Sequence, residues 1–194
     1  MIRRSLYLVL LALLTACGTS PAPRYYTLDP LGATGVSPVA QAAADAPSVW
    51  VGPVSLPDAV DRPQLVVRLA PNRVAILDQH RWAEPLGSAI SRAIAADLST
   101  LLGGARVSAE AQHAAAGAQV RVLVDVQRFE SVPGQGVTIE ALWSVRRTAE
   151  AEPQRGHSLL SESVSGPDYE ALAAAHARAL VALSRDIAQA IRAR

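Results

Sequence analysis

Lysine is absent from this sequence of 194 residues, and cysteine occurs once, as Cys17. Without lysine the chain cannot form a Schiff base or a Walker-type phosphate site, which excludes two large classes of enzyme. With a single cysteine it forms no internal disulfide. The four histidines, at positions 80, 113, 157 and 176, lack the spacing of metal ligands. The sequence therefore predicts no metal site and no cofactor.

Side chains suited to catalysis are also poorly placed. His157 and Ser158 are adjacent, but the segment 156–160 lacks the second glycine of a nucleophile elbow, and Ser158 falls in a predicted strand. Glu84 and Asp97 lie on one predicted helix, roughly 20 Å apart along its axis, which is too far for two carboxylates to share chemistry. No catalytic residue is predicted, and the chain is not expected to be an enzyme.

Clustered charge of one sign is missing as well. All 18 basic residues are arginines, and 17 residues are acidic. Removal of residues 1–16 takes away Arg3 and Arg4, which leaves 16 arginines against 17 acidic residues, a net charge of −1. Nucleic acid and anionic lipid surfaces both call for clustered positive charge. We therefore expect no nucleic-acid partner, and any membrane attachment has to come from another source.

The N-terminus has the pattern of a secretory signal. Two arginines precede an unbroken apolar run at 6–14, and small residues follow it. A membrane-spanning helix needs about 20 apolar residues, so this run is too short to span. Residues 1–16 are therefore predicted to be a signal peptide.

The residues that end this signal, Leu14-Thr15-Ala16-Cys17, resemble the bacterial lipoprotein box. The resemblance implies cleavage after Ala16 and acylation of Cys17, which would attach the protein to a membrane. The alternative is an ordinary signal peptide with an incidental cysteine. In lipoproteins of this kind an aspartate after the cysteine retains the protein in the inner membrane, so Gly18 implies export to the outer membrane.

Residues 17–47 are predicted to be the lipidated cysteine and a flexible tether with one short strand. The stretch 18–23 contains proline and serine, and 24–28 is rich in strand-forming residues that we expect to pair with a sheet edge. From 30 to 47 the chain carries only one charge, Asp45, and shows no periodicity, which is typical of a flexible insertion.

Residues 48–194 are predicted to form a single α/β domain. Alternating or short apolar segments predict strands at 49–54, 65–69, 73–77, 120–127, 137–145 and 156–164. Apolar residues repeat at helical spacing over 85–102 and 169–192, and Asp168 is suited to cap the second helix. His176 lies on the apolar stripe of that helix, which favours a hydrogen-bonded core histidine. The expected fold class is α+β, a mostly antiparallel sheet with two amphipathic helices packed on one face.

Two groups of residues are candidates for a partner interface. Asp61 and Arg62 stand between rigid prolines at one end of the predicted sheet, and Trp82 precedes the first helix. For these three, a purely structural role in shaping the loop and fastening the helix to the sheet is equally supported. On the uncovered sheet face, Leu123, Leu142 and Phe129 are expected among charged residues, a mixture typical of a subunit interface.

Several segments in order resemble one family, the PqiC-like auxiliary lipoproteins of lipid-type ABC transport systems. They are RYYTLD at 24–29, VGPV at 51–54, DRPQ at 61–64, RWAEPL at 81–86 and LSRDIA at 183–188. The resemblance covers essentially the whole chain after the signal, apart from the stretch 30–47.

This resemblance implies an outer-membrane lipoprotein on the periplasmic face, without activity of its own. It also implies an MCE-domain periplasmic protein as partner and copies arranged in a homo-oligomeric ring. The leading hypothesis is an adaptor that docks a periplasmic lipid conduit to the outer membrane and supports envelope integrity. The alternative is a solute-binding lipoprotein that captures a small molecule for an ABC importer, although a sheet covered on one face offers no obvious cleft between lobes.

Overall fold

The computed structural model describes residues 22–30, 47–109, 112–150, 152–164 and 166–193. The predicted signal peptide, Cys17 and most of the predicted flexible stretch 30–47 lie outside these residues. In chain order the elements are β1 (Arg24–Tyr26), β2 (Ser48–Val51), β3 (Gln64–Ala70), β4 (Arg73–Trp82), α1 (Leu86–Leu101), β5 (Arg106–Ala109), α2 (Gln112–Gly117), β6 (Val120–Val132), β7 (Gly136–Arg147), β8 (Gln154–Ser163) and α3 (Tyr169–Arg192).

The strands form two mixed sheets. The larger has the order β5-β2-β6-β7-β8, and the smaller has the order β1-β4-β3. Strands β6, β7 and β8 form an antiparallel meander, and β3 pairs antiparallel with β4. The α+β class is confirmed, but three strand pairs are parallel: β1 with β4, and β2 with both β5 and β6.

The parallel pairs depend on long connections that local sequence patterns do not reveal. Parallel neighbours need a crossover between them, and here β3, β4 and α1 lie in the chain between β2 and β5. The segment 24–28 does pair with a sheet edge, as predicted, because β1 joins the smaller sheet beside β4.

Helices α1 and α3 cover one face of the larger sheet. Helix α1 packs on α3 and β5, and α3 packs on β7 and β8. Their predicted stripes are buried: Leu86, Ile90, Ile94 and Leu98 in α1, and Leu172, Leu180, Leu183 and Ile187 in α3. The carboxylate of Asp168 accepts a hydrogen bond from the Glu170 amide, which caps α3 as predicted.

The predicted position of Phe129 on the uncovered face is wrong. A β-bulge shifts the register of β6 against β7 between Val126 and Arg128. Because side chains alternate along a strand, one extra residue moves all later side chains to the opposite face. Phe129 is therefore buried with only 6% of its surface exposed.

Gly156 in β8 makes room for the ring of Trp143 in the neighbouring β7. The two residues are directly paired, and a Cβ atom on Gly156 would lie 2.1 Å from Trp143 Cζ2. The Trp143 indole is held in place because its Nε1 donates to Ser158 Oγ at 3.0 Å. The ring therefore has little freedom to move away from an added methyl group.

We expect Gly156→Ala to destabilise the fold by about 2 kcal/mol, because overpacking of this kind typically costs that much. The measurement is urea-induced unfolding monitored by circular dichroism. Gly117→Ala is the matched control, since no atom lies within 4 Å of a Cβ at that position. Equal stability of the two variants would contradict the packing of Trp143 on Gly156.

Candidate functional site

The face of the larger sheet opposite the helices carries exposed leucines; we call it the open face. Leu123 on β6, Leu142 on β7 and Leu159 on β8 are 51%, 47% and 60% exposed. Leu142 stands directly opposite Asp125 on one side and His157 on the other, so these side chains share the face. The alternation of β6 and β7 therefore places Leu123 and Leu142 away from the helices, as predicted.

Charged residues surround these leucines. Glu140 lies on the open face opposite Leu159. Its carboxylate forms an ion pair with Arg128, whose Nη2 is 3.1 Å away, and a hydrogen bond with His157 Nε2 at 3.1 Å. An exposed ion pair such as Arg128–Glu140 contributes little to stability. The contacts of Glu140 with Arg128 and His157 hold polar groups in place around the exposed leucines. An apolar centre with a polar border is typical of protein interfaces.

A shallow groove of about 420 Å³ runs along this face beside the chain that follows β2. Its lining includes Pro53, Leu123, Leu142 and Arg155. After β2 the chain continues along β6, with the Gly52 amide donating to the Val122 carbonyl and the Ser55 amide donating to the Val124 carbonyl. Pro53 lies between them and has no N–H to donate.

Gly52 allows close packing at this edge of the open face. A Cβ atom there would lie 2.7 Å from Leu123 Cδ2 and 3.0 Å from Trp50 Cη2. Trp50 Nε1 is buried without a hydrogen-bond partner among the described residues. The VGPV segment therefore shapes one border of the open face.

Asp61 and Arg62 lie in a turn apart from the open-face leucines. The amides of Val60 and Asp61 both donate to the Pro57 carbonyl, and Arg62 Nη2 reaches the Asp58 carbonyl at 3.4 Å. The groove beside this turn is lined by residues 127–131 of β6, whereas Leu123 lies in the first half of that strand. Asp61 is exposed and Arg62 is partly buried.

Trp82 lies in the core. Only 5% of its surface is exposed, and its ring meets Phe129 edge-on with 6.0 Å between centroids. Its amide donates to the Pro63 carbonyl at 2.8 Å, which ties the end of β4 to the loop before β3. These contacts give Trp82 a structural role in the core and leave its ring too buried to bind a partner.

His176 is a buried core histidine, as predicted. Its Nε2 is 2.8 Å from Ser131 Oγ, and its ring stacks on Phe129 with 3.8 Å between centroids. Burial lowers the pKa of His176 to about 3, because the charged form would lose its hydration. The side chain therefore stays neutral near pH 7.

The adjacent pair His157 and Ser158 points to opposite faces of β8. Ser158 is buried, accepts from Trp143 Nε1 and donates to Asp186 Oδ2 at 2.6 Å. His157 is exposed on the open face and binds Glu140. The structure therefore separates the two side chains that the sequence places next to each other.

Leu159 was not singled out from the sequence. It lies between Ser158 and Leu160. Because side chains alternate along a strand, only one of the two consecutive leucines faces the core, and the sequence does not indicate which one. The polar Ser158 takes the inward position because Trp143 and Asp186 satisfy its hydroxyl group.

Within the part of the chain that the structure describes, no three His, Cys, Asp or Glu side chains are grouped closely enough to hold a metal ion. No helix in the same residues is long and apolar enough to cross a membrane.

Comparisons with known proteins identify the family of this chain. The sequence model of one family, described as the ABC-type transport auxiliary lipoprotein component, matches residues 26–188. The chain belongs to this family. It is thereby an auxiliary lipoprotein component of ABC-type transport, and the resemblance found in the sequence is confirmed. No curated protein matches the chain in sequence.

Two solved structures share the fold. One is an uncharacterised protein that is 21% identical; the alignment covers 88% of this chain and 99% of that one, with a TM-score of 0.67. The other is a DUF330 protein from Xanthomonas campestris, also 21% identical, with 87% and 92% coverage and a TM-score of 0.59. At this identity the likeness shows the fold alone.

Proposed function

We propose that this lipoprotein is a non-enzymatic adaptor of the outer membrane. Acylated Cys17 holds it on the periplasmic face, and its domain docks the end of a lipid conduit formed by an MCE-domain protein. Family membership supports a role in ABC-type transport. The lipoprotein box at 14–17 and Gly18 after it support the anchor and its location.

The observation that carries this proposal is the open face, which supports an assembly of copies on which the docking role depends. Three exposed leucines at its centre, surrounded by Asp125, Glu140 and His157, form a surface that is too apolar to be left in water. Its polar border is equally unsuited to a closed core. This composition supports contact with another protein surface.

A second copy of the chain is the occupant that we propose for the open face. A monomer with one covered sheet face does not enclose a passage for an acyl chain. Copies arranged in a closed ring would provide such a passage, and cyclic symmetry is the usual way to repeat one contact without leaving a free end.

The test is purification of the tagged, lipidated full chain from membranes in mild detergent. We expect an assembly larger than a monomer that carries an MCE-domain protein identified by mass spectrometry. An unrelated tagged outer-membrane lipoprotein, purified in the same detergent, is the control. A monomer with a permease and a bound small molecule would instead support the solute-binding alternative and contradict the adaptor.

A further inference from the structure

A second set of exposed apolar residues lies on the smaller sheet, at the hairpin formed by β3 and β4. Leu69, Val74 and Ile76 are 52%, 51% and 47% exposed. The turn between the strands is formed by Pro71 and Asn72, both exposed. We call residues 69–74 the hairpin tip. Single exposed apolar residues are common, but this group is concentrated in one hairpin.

The turn of the hairpin tip is held against β6, and the tip carries one exposed arginine, Arg73. Arg68 Nη1 donates to the Pro71 carbonyl at 2.7 Å, and Arg68 Nε lies 2.7 Å from Glu130 Oε2. These contacts tie the turn to β6, so the tip needs little further ordering to bind a partner. Arg73 is exposed at the same turn. Apolar side chains beside an arginine suit the boundary between lipid headgroups and acyl chains.

The topology fixes the direction in which the hairpin tip points relative to the N-terminal chain. Strand β1 is parallel to β4, with Arg24 opposite His80 and Tyr26 opposite Trp82. The chain therefore enters β1 from the side on which β4 begins, and β4 begins at the hairpin tip. From His80 back to Arg73 is seven residues, about 23 Å at the rise of a β-strand.

The length of the preceding chain gives a matching distance. Arg24 follows Cys17 by seven positions. A chain of that length spans at most about 25 Å. The maximum distance from Cys17 to Arg24 is therefore about the same as the distance from Arg24 to the hairpin tip. Both are measured toward the side from which the chain enters β1. Any shorter span brings the tip closer to the bilayer.

We propose that the hairpin tip contacts the surface of the membrane that holds Cys17, as a second point of attachment that orients the domain. This inference rests on the proposed acylation of Cys17. Leu69 and Val74 enter the headgroup region, and Arg73 binds lipid phosphates. The open face, on the other sheet, stays available for protein contacts.

The experiment uses the mature lipidated protein, in which acylation leaves no free thiol. Leu69→Cys, Val74→Cys and Leu159→Cys each introduce one thiol for an environment-sensitive fluorophore. Leu159, a leucine of the open face that is 60% exposed, is the control. The proteins are reconstituted with vesicles of phosphatidylethanolamine and phosphatidylglycerol that contain a nitroxide-labelled lipid. Unchanged melting temperatures verify that each variant is folded.

We expect the nitroxide lipid to reduce the fluorescence of the labels at Leu69 and Val74 by roughly half. Apolar residues at a membrane surface are buried to a depth of ~5–10 Å at the boundary between headgroups and acyl chains, which brings the labels close to the nitroxide. The label at Leu159 is expected to keep its fluorescence. Equal quenching at all three sites would overturn the proposal, because it would indicate nonspecific adsorption. A tip label that is shielded from an aqueous quencher but not quenched by the lipid would also overturn it, because the occupant is then a protein.

Flotation with the vesicles separates this inference from the proposed function. Wild-type protein that fails to float would overturn the acylation of Cys17 and this inference with it. Protein that floats without quenching at the tip overturns the contact alone.

Discussion

Replacement of Cys17 by alanine is expected to abolish stable membrane attachment. Each buried acyl methylene contributes about 0.8 kcal/mol, so that one chain binds marginally and two or more anchor stably. The apolar run at 6–14 is about half the length that spans a bilayer and cannot replace the acyl chains. We expect uncleaved precursor or protein released by a mild alkaline wash, measured by fractionation and immunoblotting.

Gly18→Asp is the control for this experiment, because it keeps Cys17 and changes only the residue after it. This variant should still require detergent for extraction but should move from the outer-membrane to the inner-membrane fraction. A Cys17→Ala protein that is extracted only by detergent would contradict the lipoprotein anchor. Equal distribution of wild type and Gly18→Asp would contradict the outer-membrane location.

The two long helices, α1 and α3, were predictable because their signals are local, whereas the short helix α2 was not predicted. Apolar residues at steps of three and four define α3, and the predicted range 169–192 is the observed Tyr169–Arg192. Gly103 and Gly104, which have φ angles of 68° and 85°, end α1 where the sequence placed its stop. A periodic stripe and a cap depend only on neighbouring residues, so tertiary structure did not alter them.

The sheets were less predictable because pairing is not local. The alternation in β6 and β7 placed Leu123 and Leu142 correctly on the open face, but the bulge after Val126 reversed the position of Phe129. Periodicity in the sequence identifies strands and their faces, but it does not indicate which strands are neighbours in the sheet. The parallel pairing of β2 therefore appears only in the structure.

The candidate site was likewise predictable only where local sequence patterns decide which way a side chain faces. The sequence indicated Leu123 and Leu142, and it left open whether Trp82 served an interface or the core. A tryptophan before a helix fits either role, and only its contacts with Phe129 and His176 place it inside. The strands of the β3–β4 hairpin were predicted, but the exposure of Leu69 and Val74 was not, because an exposed valine in a strand has the same sequence pattern as a buried one.

Leu123→Arg combined with Leu142→Arg is expected to dissociate the assembly while leaving the fold intact. Both side chains are about half exposed and point away from the helices, so two arginines are accommodated in the monomer. In a contact between copies they would place charge against an apolar surface. The loss of about 2 kcal/mol at each position weakens the contact roughly 30-fold per residue.

The measurement is light scattering on residues 18–194, wild type and variant, over a range of concentrations, with circular dichroism to verify folding. Leu69→Arg combined with Val74→Arg is the matched control, since it adds the same charge at two equally exposed residues of the smaller sheet. We expect the control to assemble like the wild type, because the open face is unchanged. A wild-type domain that stays monomeric at high concentration would count against the ring and against the conduit-end role that depends on it. Dissociation by both variants alike would show that added charge, and not the open face, controls assembly.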